Sequence, residues 1–222
     1  MAMTMVSRSE KAEPRPARRL YLVTPPVADA QAFAAPLGAA LAAGDVAAVL
    51  VRLADGDERT SINRVKALCP LVQDKGAALL IDGRLDLIAR SGADGAHLSG
   101  LAAFRDAIGR LKPERIAGAG GLVTRHDAMA VAEAGADYVM FGEPDARGER
   151  PGLHAIVERV GWWAEVFEVA CVASAASVEE VGPLARAGAD FVALGDWLWR
   201  EPDVASTVQR AMAELRLPET IA

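Results

Sequence analysis

One phrase is written three times along this chain, and it constrains the fold more than any other feature. The copies are Gly92-Ala93-Asp94-Gly95-Ala96-His97-Leu98, Gly135-Ala136-Asp137-Tyr138-Val139-Met140-Phe141-Gly142 and Gly188-Ala189-Asp190-Phe191-Val192-Ala193-Leu194-Gly195. A fainter echo runs from Ala43 to Val51. Ala-rich helical stretches, Met129–Ala134 and Val181–Ala187, lead into the second and third copies. Gly then reads as the left-handed residue that closes a helix, and Asp as the turn. The short apolar run that follows reads as a strand buried on both faces. Helix, turn and buried strand in repetition mean parallel strands joined by helical crossovers. The spacing between copies leaves room for two strand–helix units per interval. Eight such units in about 200 residues predict an α/β chain folded as a single-domain (β/α)8 TIM barrel.

Composition supports one large core. The chain is 52% hydrophobic, with a mean hydropathy of +0.17. Its apolar residues come in short runs broken by Gly, Pro and charge, so no segment reads as a membrane span. A net charge of −6 argues against generic nucleic-acid or anionic-membrane binding. Cys69 and Cys171 make neither a disulfide framework nor a zinc site, and reduced thiols in a cytoplasmic protein are the simplest reading.

The expected order begins with a flexible tail over residues 1–18 and ends with a short one over 216–222. The barrel is expected over 19–215. Strands are placed at Arg19–Val23, Ala47–Leu53, Ala77–Ile81, Gly95–Leu98, Ile116–Ala119, Tyr138–Phe141, Val169–Ala173 and Phe191–Leu194. Asp29 opens the first helix, and the second runs from Ser61 to Lys75. Thr124-Arg125-His126-Asp127 and Ser177-Val178-Glu179-Glu180 have the spacing of N-terminal capping boxes. The Trp162-Trp163 pair looks exposed on its helix. With Trp197 and Trp199, it reads as helix–barrel packing, a homodimer seam or an apolar contact surface.

In such a barrel the chemistry sits at the C-terminal ends of the strands. That rule nominates Thr24, Arg52, Asp82, Arg84, His97, Gly120, Thr124, His126, Glu143, Ser174 and Asp196. Arg52 shares a face with Leu50 and would point at an anion from the mouth, or pair with a carboxylate such as Asp82. Asp82 would hold Mg2+ or cap the next helix. His97 reads as a pocket residue or a hydrogen-bonded structural histidine. His126 lies in a helix-start box, where capping is its simplest role.

These residues resemble the thiamine phosphate synthase family in order and spacing. The likeness is carried by Leu20–Thr24, Leu79–Arg84, Ser91–Leu98, Ala134–Gly142 and Ala187–Ala193, and it runs over roughly 19–200. It implies a (β/α)8 barrel that joins hydroxymethylpyrimidine diphosphate to thiazole phosphate with Mg2+, releasing pyrophosphate. Positioning and charge handling would be the protein's task there. It assigns Arg52 and His126 to catalysis, and Arg52, Arg84, His97, Thr124, Glu143, Ser174 and Gly195 to substrate binding. Asp82 is assigned to the metal.

Several motif positions depart from the family. Only Arg52 remains of Gln-x-Arg-x-Lys after strand two, and Gly83 stands where a metal-binding Asp is expected. Ser99-Gly100-Leu101-Ala102 replaces Gly-Gln-Glu-Asp, and Ala173-Ser174-Ala175 replaces a Gly-Gly phosphate turn. Gly195-Asp196 replaces Val-Ser, so Asp196 is expected to occupy helix-start amides and repel a phosphate. The Lys expected after strand six is absent, with Arg147 or Arg150 as its substitute. These departures leave two other readings open: a thiazole tautomerase using His126 or His97 as base, and a non-catalytic barrel for another small molecule.

Overall fold

The computed structural model of the protein describes residues 17–145 and 147–216. Of the tails expected over 1–18 and 216–222, residues 1–16 and 217–222 lie outside the described residues. Eight strands alternate with eight helices: β1 Arg19–Val23, α1 Ala30–Ala43, β2 Val46–Val51, α2 Glu58–Gln73, β3 Ala78–Asp82, α3 Leu85–Ser91, β4 Gly95–Ser99 and α4 Leu101–Leu111. They continue as β5 Ile116–Gly120, α5 Arg125–Glu133, β6 Tyr138–Phe141, α6 Leu153–Val166, β7 Ala170–Ala175, α7 Val181–Arg186, β8 Phe191–Leu194 and α8 Val204–Leu215. All neighbouring strands pair in parallel, and β8 returns to β1 to close the barrel. The expected (β/α)8 fold is therefore the observed one.

The repeated phrase works as the reading anticipated, with one addition. Gly92, Gly135 and Gly188 have φ of 85°, 100° and 107° and end their helices in the left-handed region. The Asp that follows does more than turn. Oδ2 of Asp94 accepts from the Leu79 amide at 2.7 Å, that of Asp137 from Ala117 at 2.7 Å, and that of Asp190 from Cys171 at 2.8 Å. Each carboxylate thus leads into an even-numbered strand and fastens the start of the odd-numbered strand before it. The fainter echo differs: Gly44 is extended at φ −152°, and Asp45 pairs with the side chain of Arg19 instead.

Strand alternation separates two cores. One face of each strand packs against the helices in a large cluster that includes Leu20, Val49, Ile81, Val139 and Val192. The other face fills the barrel with Tyr21, Leu50, Leu80, Tyr138, Met140, Val172 and Ala193. The Tyr138 ring fits inside because β5 has glycine at position 118 opposite it. A Cβ on Gly118 would stand 1.9 Å from the Tyr138 ring.

Some local expectations are corrected. Helix α2 starts at Glu58, capped by Asp57, three residues earlier than expected. Strand β2 stops at Val51, so Arg52 lies just past it. Strand β7 runs on to Ala175. Trp163 is fully buried and donates its indole N–H to the Val169 carbonyl at 2.7 Å, whereas Trp162 lies under the Arg125 guanidinium. Adjacent residues on a helix point about 100° apart, so one of the pair faces the barrel. The box at Ser177 is absent. A 3-10 turn forms there, and the Glu180 carboxylate is drawn away by Arg150 and the Ala176 amide.

The carboxylate fastening predicts an asymmetry. Asp190→Ala strips a partly buried charged acceptor from a strand amide and should cost about 2 kcal/mol, lowering Tm by roughly 4–8 °C in a chain of this size. Asp45→Ala breaks a more exposed ion pair with Arg19 and should cost under about 1 kcal/mol. Thermal melts that show equal losses would disprove a special role for the repeated Asp.

Candidate active site

The C-terminal rim of the barrel gathers four titratable groups around a buried hydrogen-bond chain. His97, 2% exposed, is the central residue. Its Nδ1 lies 2.9 Å from the Tyr138 hydroxyl and its Nε2 lies 3.0 Å from Glu143 Oε1. Tyr138 in turn meets the Tyr21 hydroxyl at 2.8 Å. The second Glu143 oxygen accepts from the Gly121 amide at 3.0 Å. The chain therefore runs from the middle of the barrel to the loop after β6. Glycine at 120 is required for it: a Cβ there would stand 1.7 Å from Glu143 Oε2 and 2.6 Å from His97 Nε2.

The electrostatics follow from this geometry. Burial by itself would keep His97 neutral, but the charge and hydrogen bond of Glu143, with Asp82 beside it, raise its pKa above the ordinary value. Burial would also favour the protonated acid at Glu143. His97, the Gly121 amide and Arg52 outweigh it and hold that carboxyl below its usual range. Tyr138 and Tyr21 are pushed far up by burial and remain hydroxyls. With both imidazole nitrogens protonated, Nε2–H donates to Glu143 and Nδ1–H to Tyr138, whose own O–H then turns to Tyr21. Asp82, register partner of His97 across β3 and β4, is pushed up chiefly by its burial. No hydrogen bond from the described residues reaches its carboxylate.

Arg52 lies over the end of β1. Its Nε donates to the Thr24 carbonyl at 3.0 Å, its amide to Thr24 Oγ1 at 3.0 Å, and its Nη2 to Asp196 Oδ1. Asp196 is thus the partner of Arg52, where Asp82 had been weighed, and its carboxylate goes to that guanidinium rather than to helix-start amides. Arg52, Asp82 and Arg84 line one cleft of about 360 Å³. A second cleft of about 540 Å³ lies beside Glu143 and Arg150.

The other candidates separate into two groups. Ser174, 9% exposed, gives its carbonyl to Arg150, and Gly195 accepts the Leu198 amide, both at the rim. Arg84 lines the cleft but turns its guanidinium to Asp86. Thr124 is occupied in a complete capping box with Asp127. His126 follows it on the exposed first turn of α5, outside the His97 chain. Arg150 bridges the Gly142 and Ser174 carbonyls and Glu180, while Arg147 stays exposed. Sequence reasoning missed the tyrosine pair. The signal was present: the only two tyrosines of the chain occupy inward strand positions.

The family model described as thiamine monophosphate synthase matches residues 20–197. A thiamine-phosphate synthase of Rhodospirillum centenum is 43% identical over 187 residues, 83% of this chain and 90% of the relative. One from Hyphomonas neptunium is 35% identical over 215 residues, 93% of this chain and 97% of the relative. In fold, a thiamine phosphate pyrophosphorylase from Pyrococcus furiosus superposes with a TM-score of 0.73 at 21% identity, over 90% of this chain and 96% of that one.

The pairing of His97 with Glu143 has a readable pH signature. The raised pKa of His97 means that its contribution to stability is full below the unfolded value of about 6.5 and is lost as pH rises through the folded one. The lowered pKa of Glu143 means that its contribution is present above the ordinary carboxylate range and is lost as pH falls through the folded value. Glu143→Gln keeps a hydrogen-bonding group and removes the charge. Proton NMR of the His97 ring should show a lower titration midpoint in that variant. An unchanged midpoint would refute the pairing.

Proposed function

The chain belongs to the thiamine monophosphate synthase family, and from that premise we propose that it joins hydroxymethylpyrimidine diphosphate to thiazole phosphate with release of pyrophosphate. It is a transferase of the thiamine-phosphate synthase type. In the reaction the bond from the pyrimidine methylene to the diphosphate oxygen breaks, and that oxygen keeps the electron pair. The thiazole nitrogen lone pair forms the new carbon–nitrogen bond. No group on the enzyme has to become covalently attached. The protein's work is to bind, orient and balance charge.

The observation that carries this reading is the shared cleft. Arg52, retained from the family's diphosphate-gripping motif, lines it together with Asp82 and Arg84 at the strand ends. In our reading Arg52 takes the diphosphate, with Arg84 free to swing from Asp86. His97, Glu143 and Ser174 bound the rest of the mouth. The tyrosine-filled interior below excludes water from the reacting carbon.

Mg2+ is expected from the family. Magnesium is commonly held by one or two protein carboxylates together with substrate phosphates. Among the described residues no group of three acidic, His or Cys side chains is arranged to hold an ion. Asp82 alone fits, being partly buried and without a hydrogen-bond donor on its carboxylate. It would hold the ion jointly with the diphosphate oxygens, and bound Mg2+ would neutralise charge on the leaving group. The tautomerase and non-catalytic readings are not favoured; of the two bases weighed for the former, His126 lies outside the mouth cluster and His97 lies in it, bonded to Glu143. Small phosphorylated pyrimidine and thiazole substrates are the partners so proposed, in a cytoplasmic protein; no described helix is long and apolar enough to cross a membrane.

The test is formation of thiamine phosphate from the two substrates with Mg2+, with calorimetry of pyrophosphate binding alongside. Arg52→Ala should lower kcat/KM by roughly 100-fold and weaken pyrophosphate binding. Undetectable product from the unmodified protein would end this reading, and an undiminished rate in the variant would remove Arg52 from the site.

A further inference from the structure

Two arginines at the rim already carry carboxylates of the chain itself, and the two pairs differ. Arg150 and Glu180 are each 19% exposed. Glu180 also accepts the Ala176 amide at 2.8 Å, while Arg150 bonds to the carbonyls of Gly142 and Ser174. That pair is built into the loop after β6. Arg52 and Asp196 are looser, with side chains 33% and 36% exposed. Asp196 has Arg52 as its one hydrogen-bonding side-chain partner among the described residues.

The backbone under Asp196 is nonetheless fixed. The Trp197 indole donates to the Ala175 carbonyl at 2.8 Å, and the Trp199 indole to the Val23 carbonyl at 2.7 Å. These bonds tie the segment after β8 to the ends of β7 and β1. The Asp196 side chain is therefore delivered to the mouth by a rigid segment, yet it can rotate to solvent on losing a single contact. Arg52 has a further anchor that does not involve Asp196, the bond from its Nε to the Thr24 carbonyl at 3.0 Å.

We propose that Asp196 is a displaceable internal carboxylate, occupying the guanidinium of Arg52 until a diphosphate takes its place. The inference rests on the reading of Arg52 as the diphosphate-binding residue. On arrival the anion replaces one carboxylate on Arg52. The freed Asp196 is left beside it as a like charge, which weakens the bound state. Asp196 thus sets how tightly diphosphate is held and how readily pyrophosphate leaves. A diphosphate with its several charges can outcompete one carboxylate, whereas a singly charged anion gains little by exchange.

Calorimetry with inorganic pyrophosphate in Mg2+ buffer tests this on the full chain. Asp196→Asn should tighten binding by roughly five- to tenfold at low ionic strength, with a smaller gain at high salt. Arg52→Ala should weaken binding, and adding Asp196→Asn to it should give a smaller gain than in the unmodified protein, because only the repulsion is relieved and no competition for Arg52 remains. Asp196→Ser provides the same comparison if the Asn variant melts early. Unchanged or weaker binding in both Asp196 variants, with Arg52→Ala still weak, would overturn the inference and leave the proposed function standing. Binding indifferent to Arg52→Ala would instead overturn the placement of diphosphate at Arg52, and this inference with it.

Discussion

A closed ring of parallel strands holds only if each strand starts at the right height, and here that constraint is met by carboxylates. Asp94, Asp137 and Asp190 each accept the amide of a residue near the start of the preceding strand, while their own amides donate to the carbonyl of that same residue. Such two-way contacts lock a pair of strands at a single register. Everything at the opposite end inherits the consequence. A slip of one residue would turn His97 and Asp82 out of the barrel, because side chains alternate along a strand. The chemistry at the rim therefore depends on bonds made at the floor.

The second constraint is space. Small residues and glycines on β4 and β5 leave room on one side of the interior, and Tyr21, Tyr138 and Glu143 occupy it. Gly118 yields to the Tyr138 ring, and Gly120 yields to the carboxylate of Glu143. This makes a polar chain possible in a barrel interior that is otherwise largely aliphatic, with Leu, Ile, Met, Val and Ala beside Phe191. A buried imidazole without a partner would be costly. Hydrogen bonds on both ring nitrogens satisfy it, and the carboxylate on one of them favours its protonated form against the burial that opposes it.

Much of this was legible in the sequence. The limits of β1, β6 and β8 coincide with those read from the sequence, since buried apolar runs bounded by turn residues are local signals. His97 and Glu143 were also nominated, one from its strand position and the other from its place past a strand end. What could not be read was which group meets which. The bond from Glu143 to His97 spans 46 positions, and Arg52 to Asp196 spans 144. Both depend on the closing of the ring. The failed capping box at Ser177 has the same cause: a local pattern asked Glu180 to turn back, and a distant guanidinium claimed it.

The departures from the family's motifs are coherent when read as one charge balance. The resemblance leads one to expect lysines after Arg52 and after strand six, and acids at Gly83 and within Ser99-Gly100-Leu101-Ala102; all are missing, so cations and anions have been removed together from the strand ends. Asp196 then adds an anion opposite Arg52. Four basic groups at the rim carry an internal acid: Arg52 has Asp196, Arg150 has Glu180, Arg84 has Asp86 and His97 has Glu143. Asp82 is the carboxylate left without such a match among hydrogen-bonding partners. A substrate bearing a diphosphate and its cation would supply both missing members at once, the anion for Arg52 and the positive charge for Asp82. The empty-handed acid and the provisionally occupied arginine are complementary halves of the same cleft.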